Sequence, residues 1–194
     1  SLDFQSFYDA SVICETQVTP YSGASDINIF DCNAVIDTSK KVIDNVRELI
    51  KGMRAYLPYV QGKYRLNIET TGSASVSLTE DDIIGGYALA SPSKNSKYNR
   101  VICAFVNPEK NYQADEIQYP QIDDSGYANA DKHATMKSVD GGFLLEGRFD
   151  FRTITSPYQA EEMAEIILRR SRESLGLNLN VGYKAYEFHI GDIV

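Results

Sequence analysis

From Ser39 onward, Val42, Ile43, Val46, Leu49, Ile50, Met53 and Leu57 recur at intervals of three and four residues, the single stripe of an amphipathic helix. Ser39 is its expected N-cap. Gly52 should loosen the last turns at a cost of about 1 kcal/mol relative to Ala, before Pro58 ends the helix. A second stripe, Ala160, Met163, Ala164, Ile167, Leu168 and Ser171, follows Ser156-Pro157-Tyr158-Gln159. That tetrapeptide offers an N-cap, a proline at the first helical position and a glutamine for a capping box. Glu161, Glu162 and Glu165 precede Arg169, Arg170 and Arg172, the order the helix dipole favours, and Gly176 is the expected stop. Phe4, Phe7, Tyr8 and Ser11 mark one face of a shorter helix within residues 3–14.

Between the two strong helices the period shortens to two. Gln61-Gly62-Lys63 turns Leu57–Val60 onto a strand in which Tyr64, Leu66 and Ile68 alternate with Arg65, Asn67 and Glu69. Val76 and Leu78 extend the sheet, and Thr79-Glu80-Asp81-Asp82 reads as the capped, acidic first turn of a brief helix ending at Gly85-Gly86. The unbroken run Val101–Val106, bounded by Asn99-Arg100 and Asn107-Pro108, is expected at the centre of the sheet with both faces covered. Residues 111–131 are polar enough to form a long surface excursion. Asp140-Gly141-Gly142 should turn one strand onto another, in which Phe149 and Phe151 face inward. Alternation returns at Leu177, Leu179 and Val181 and continues through Tyr183 and Ala185 towards Ile190. The expected fold is α+β, two amphipathic helices packed on mainly antiparallel β-sheets, without regular βαβ alternation. A division into lobes 1–98 and 99–194 is expected.

Composition narrows the function classes. The 194 residues carry 27 acidic against 19 basic side chains, a net charge of −8, and no basic run that could form a phosphate-binding stripe. Nucleic-acid recognition is not expected, nor is a membrane span, since no apolar run approaches the ~20 residues a bilayer requires. Cys14, Cys32 and Cys103 are odd in number and widely spaced, which fits neither a disulfide framework nor a zinc site. The chain opens on Ser1 and stops at Gly191-Asp192-Ile193-Val194 with strand-like alternation still running, the pattern of a piece of a longer polypeptide.

Catalytic constellations are weak. His133 and His189 lie in different elements and are expected at the surface or an interface. Gly72-Ser73-Ala74-Ser75 lacks the spacing of a nucleophile elbow, Glu80-Asp81-Asp82 sits where a helix start attracts acids anyway, and Asp123-Asp124 lacks the glycine and alternating oxygens of a calcium loop. Gly85-Gly86 and Gly141-Gly142 lack the lysine and spacing of a phosphate loop. No catalytic, cofactor-binding or metal residue is assigned. Arg169, Arg170 and Arg172 could contact a partner, although the last turn of a helix favours cations without one. Thirteen tyrosines and no tryptophan suit protein contact surfaces.

The stretch from Asn99-Arg100-Val101 through Phe105-Val106-Asn107-Pro108-Glu109-Lys110-Asn111-Tyr112 to Glu116 resembles the hub region of the J-type tail tip attachment proteins of long-tailed bacteriophages. In the same order, so do Ile36-Asp37-Thr38-Ser39, Gly62-Lys63-Tyr64-Arg65-Leu66, Leu78–Gly85, Ser156–Ala160 and Ala164–Arg172. The likeness covers roughly residues 30–194 and departs most at 122–139. It implies a phage tail hub-like fold, a virion protein assembled in the host cytoplasm, and a homotrimer that closes the tail tube with other tail proteins. A host receptor would be reached through other regions of the chain. The C-terminal Gly191–Val194 would enter a tube-type barrel. Asn107, Glu109, Lys110 and Tyr112 join the three arginines as candidate intersubunit contacts. Two other classes remain open: a tail-associated hydrolase, which would need a nucleophile and base, and a carbohydrate- or receptor-binding module using Tyr119, Tyr127 and Tyr158.

Overall fold

The computed structural model describes residues 1–20, 24–70, 72, 74, 76–91, 96–121, 130–173, 175–188 and 190–193. At its centre is a three-stranded sheet. The apolar run forms its middle strand, β8 (Arg100–Asn107), flanked by β9 (Gln113–Tyr119), which is antiparallel to it, and by β10 (Glu146–Asp150), which is parallel. Val101, Cys103 and Phe105 point to one face of β8 and are buried there with Tyr119 and Phe151. Helix α4 (Pro157–Glu173) lies on that face through Ala160, Met163, Ala164 and Leu168, with Ile167 half-buried beside them. The predicted second stripe is therefore the packing face of this helix.

Strand β9 falls inside the stretch expected to be a polar excursion. Its outward side carries Glu116 and Gln118, paired with Arg148 and Arg100, while Ile117 and Tyr119 turn inward. Charges on the wet face of an edge strand hide its two-residue period from a composition reading. A second correction follows it: helix α3 (Ala130–Val139) stands where a strand was expected before Asp140-Gly141-Gly142. Those glycines close the helix instead of a hairpin. Gly142 N donates to Lys137 O at 2.8 Å, and both glycines take left-handed φ, +74° and +83°. His133, expected at a surface or an interface, is buried on α3; His189 and Tyr127 lie outside the described residues.

The N-terminal half is built from shorter pieces: α1 (Phe4–Cys14), the pair β1 (Gln17–Val18) and β2 (Ile27–Asn28), and α2 (Val42–Gly52). Lys41, not Ser39, occupies the N-cap of α2; Ser39 instead donates through N and Oγ to Asp37 Oδ1. The helix stops at Gly52, well before Pro58, and Arg54 then takes φ +53°. Two hairpin rungs follow, β3 (Ala55–Tyr56) with β6 (Asn67–Ile68) and β4 (Tyr59–Val60) with β5 (Lys63–Tyr64). Gln61 (φ +51°) and Gly62 (φ +79°) make the tight turn where the sequence placed it. Val76 and Leu78 belong to no strand.

Gly52 ties α2 to the central unit. Its carbonyl accepts Nε2 of Gln159 at 3.1 Å, while Gln159 Oε1 accepts Asp31 N. Gln159 is buried and joins three segments, a use that a capping-box reading did not anticipate. Asn33 bonds to Thr153 O and Thr155 Oγ1, and Arg54 stacks on Phe30 and pairs with Glu162 at 3.4 Å.

The remaining sheet is a two-stranded ribbon of β7 (Ile83–Ala90) and β11 (Gly176–Val181), antiparallel and joining segments on either side of residue 98. Gly176 opens this strand rather than stopping a helix. A bulge interrupts the register between Leu179 and Val181, opposite Gly85 with its left-handed φ of +81°. The short 3-10 turn Glu80–Asp82 leads into β7 with the predicted Thr79 cap: Thr79 N and Oγ1 both donate to Asp82 Oδ2. It ends at Asp82, so Gly85-Gly86 belong to β7. After β11 the chain forms another 3-10 turn, Tyr183–Glu187, where strand alternation was expected. Lys184 Nζ reaches back to Asp82 at 3.0 Å and holds the two turns together.

Candidate assembly surface

The seven residues proposed from sequence fall into two groups. At the far end of β8, Asn107 Oδ1 accepts Glu109 N at 2.9 Å, capping the 3-10 turn Pro108–Lys110, and its Nδ2 donates to Asp115 at 2.7 Å. Lys110 Nζ meets the other Asp115 oxygen at 2.9 Å. The Lys110 hydrogen bond, then that from Asn107, holds the Asp115 carboxyl below its ordinary range. Asn111 and Tyr112 follow with φ of +56° and +58°, and Tyr112 N closes onto Asn107 O at 2.9 Å. The result is a braced turn that presents Tyr112, 70% exposed, to solvent. An aromatic ring offered on a turn of this kind loses little freedom on contact.

The arginine group sits at the other end. Arg172 chelates Asp140 through both terminal nitrogens, at 2.8 and 3.2 Å, and donates to Tyr98 O at the start of β8. Asn99, fully buried, completes this knot: Nδ2 donates to Asp140 and Phe143 O, and Oδ1 accepts Leu145 N. The Arg172 hydrogen bond is the main cause holding Asp140 below its ordinary range. Arg170 pairs with Glu69 from the N-terminal half, and Arg169 is exposed at the rim of two clefts. With eight residues at about 3.3 Å each, β8 separates the arginine group from the Tyr112 turn by about 23 Å. The two groups do not form one patch.

Sequence reasoning missed two uncovered apolar surfaces. The α2 stripe is only half-buried along Val46, Leu49 and Ile50, and its first turn is open, with Val42 79% exposed and Ile43 also in solvent. On the ribbon, Tyr87 is 67%, Leu89 60% and Leu177 54% exposed. The signal for these was present as helical and two-residue periodicity, but periodicity names a face and not its cover. Tyr119, considered as an exposed recognition residue, is instead buried. Its phenol is pushed up to about 12 by burial and by Glu165 beside it. Tyr158 remains exposed.

A cleft of about 560 Å³ lies between α3, α4 and β9, lined by Tyr119, Met136 and Leu168 and rimmed by Lys132 and Arg169. No cluster of three or more metal-ligating side chains occurs among the described residues. Burial pushes the Cys103 thiol up to about 12 and raises Cys14 and Cys32 as well, so all three thiols lack the stabilised thiolate of a catalytic cysteine. Among the described residues no helix is long and apolar enough to cross a membrane.

No protein-family model matches the chain. It is similar to the baseplate hub protein pb3 of Escherichia phage T5, with 24% identity over 156 residues. The match takes in 80% of this chain and 15% of that protein, so the chain corresponds to a small part of its relative's length. The likeness is thus to a baseplate hub protein of a phage.

Proposed function

We propose that the chain is a structural hub component of a phage or prophage tail, acting by assembly rather than by catalysis. The observation that carries this reading is the similarity to a baseplate hub protein along four-fifths of the chain. The architecture is in keeping with it: helix and sheet tied by buried polar knots, three thiols held protonated, and wide apolar faces left open. In its finer form the proposal is a J-type tail tip protein, a homotrimer that closes the tube, contacts other tail proteins and leads to host attachment through other regions. The lobes 1–98 and 99–194 are its proposed units. Tyr112 on its braced turn and Arg169 at its cleft rim are the best placed of the proposed intersubunit contacts.

A conditional null allele in the source phage tests the proposal. Loss of a hub should leave filled heads without completed tails in electron micrographs. Complete particles that adsorb poorly, or that adsorb and fail to penetrate the wall, would instead indicate a receptor-binding or hydrolytic module.

A further inference from the structure

We propose that the cleft between the end of α1, the turn after α2 and the outer stripe of α4 seats an acidic side chain of another tail protein, held by Arg54, Arg169 and Arg170. The inference rests on the assembly role proposed above and names a site and the chemistry by which a partner is held there. Glu162, Ile166, Arg169 and Arg170 follow one another at intervals of four, three and one, so they form a single stripe of α4 beside the one that packs on the central sheet. Opposite them, Arg54 O accepts Glu69 N at 3.1 Å, which brings the turn after α2 and the end of β6 together at the cleft. The cleft has a volume of about 630 Å³, and Ile13 and Ile29 stand beside Ile166 as its apolar walls.

Charge selects the occupant. Three arginines and two glutamates line the cleft, an excess of one positive charge in a chain whose net charge is −8. The glutamates do not neutralise the arginines evenly. Arg170 pairs with Glu69, while the Arg54 side chain, 14% exposed, meets Glu162 at 3.4 Å and keeps its Nε buried without a hydrogen-bond partner. Among the described residues the salt bridges of α4 run through Glu162, Arg170 and Arg172, and none uses Arg169. Burial is the main cause lowering the Arg54 guanidinium from its ordinary value; Glu162 opposes it, and Arg170 and Arg169 add to it. A further negative charge here relieves repulsion between guanidinium groups and gains charge-assisted hydrogen bonds from their planar forks. One excess positive charge matches one carboxylate, whereas a phosphate dianion exceeds it and meets the repulsion of Glu69 and Glu162. The isoleucine walls add apolar area that an inorganic anion cannot use and that the stem and apolar neighbours of an acidic residue in a peptide can.

NMR titration of the isotope-labelled 194-residue chain tests this, read at the arginine Nε–H signals and the backbone amides of α4. The probe is acetyl-Leu-Glu-Leu-amide, and acetyl-Leu-Gln-Leu-amide is its neutral twin. The glutamate peptide should shift Arg54, Arg169 and Ile166 saturably with a millimolar dissociation constant, and the glutamine peptide should bind at least about fivefold more weakly. Arg169→Gln should weaken the glutamate peptide about tenfold, and Arg169→Lys, which keeps the charge and loses the fork, by less. Because Arg169 is exposed and outside the salt bridges, the melting temperature of both variants should be unchanged. Equal binding of the two peptides, no saturable shift up to about 20 mM, or affinity that survives Arg169→Gln would overturn the proposal. So would inorganic phosphate binding the cleft more tightly than the glutamate peptide. Cleft signals that move with protein concentration alone would put a second copy there and overturn it as well. Peptide binding to the isolated chain and completion of tails are separate readouts, so this proposal and the hub reading fail independently.

Discussion

At the scale of single residues, close approach and buried amides set the fold, and neither is written in hydrophobic periodicity. Gly52 looks like a weak point in a helix, where Ala ordinarily gains about 1 kcal/mol. A Cβ there would lie 2.5 Å from Thr153 Oγ1, on a buried, β-branched neighbour. Gly52→Ala should therefore lose about 1 to 3 kcal/mol in denaturant unfolding. Combining it with Thr153→Ala should recover most of that loss. A Gly52→Ala chain more stable than the parent would show that the contact relaxes freely. Asn99 is likewise unreadable from sequence, where it is one polar residue before an apolar run. Asn99→Ala strands Leu145 N–H and removes a donor from Asp140 and Phe143 O, at an expected cost of about 1 to 3 kcal/mol per orphaned group.

At the scale of elements, two helices with equally clear stripes have different fates. The α4 stripe was legible because it both repeats at the right period and finds a sheet face; the α2 stripe repeats as well but is only half-buried, with its first turn left open. Leu168→Ala should cost about 2 to 5 kcal/mol. Val42→Ala should change stability by less than about 0.5 kcal/mol. Thermal melts of the pair distinguish packed from unpacked stripes, and equal losses would contradict the burial described. Strand β9 and helix α3 escaped the sequence reading for different reasons. The first carries its charges on one face of an edge strand, and the second, with Ala130 to Val139, has too little amphipathic contrast to stand out from a polar stretch. The turn around Asp82 was legible through its Thr-x-x-Asp spacing. Its carboxyl is held at about 2, chiefly by the Thr79 backbone N–H, with Lys184 adding to it. A depressed carboxylate stabilises the folded state above its ordinary value and loses that contribution as pH falls through the folded value. The Asp82–Lys184 tie should therefore hold at pH 5 and open only as pH falls from about 4 towards 2. NMR titration of the Thr79 amide should report a midpoint near the lower end, and a midpoint at 3.8 would mean that the bonds do not form in solution.

At the scale of the whole molecule, the buried core is concentrated around β8 and α4, while the ribbon and the first turn of α2 leave apolar side chains in water. That imbalance is hard to place in a chain that works alone and natural in one that is covered by neighbours. The sequence pattern sufficed for the class of fold and for the centre of the sheet, because both follow from burial within the chain. It could not reveal which faces stay open, since two-residue and helical periods record that a face is covered without recording by what. The likeness to a baseplate hub protein supplies that missing context, and it leads to one direct test. Antibodies raised to this chain should be applied to purified particles from the source culture and visualised with gold in the electron microscope. Label concentrated at the distal end of the tail is the predicted result. Unlabelled, complete particles, with the antigen confined to the host lysate, would contradict a structural role in the tail.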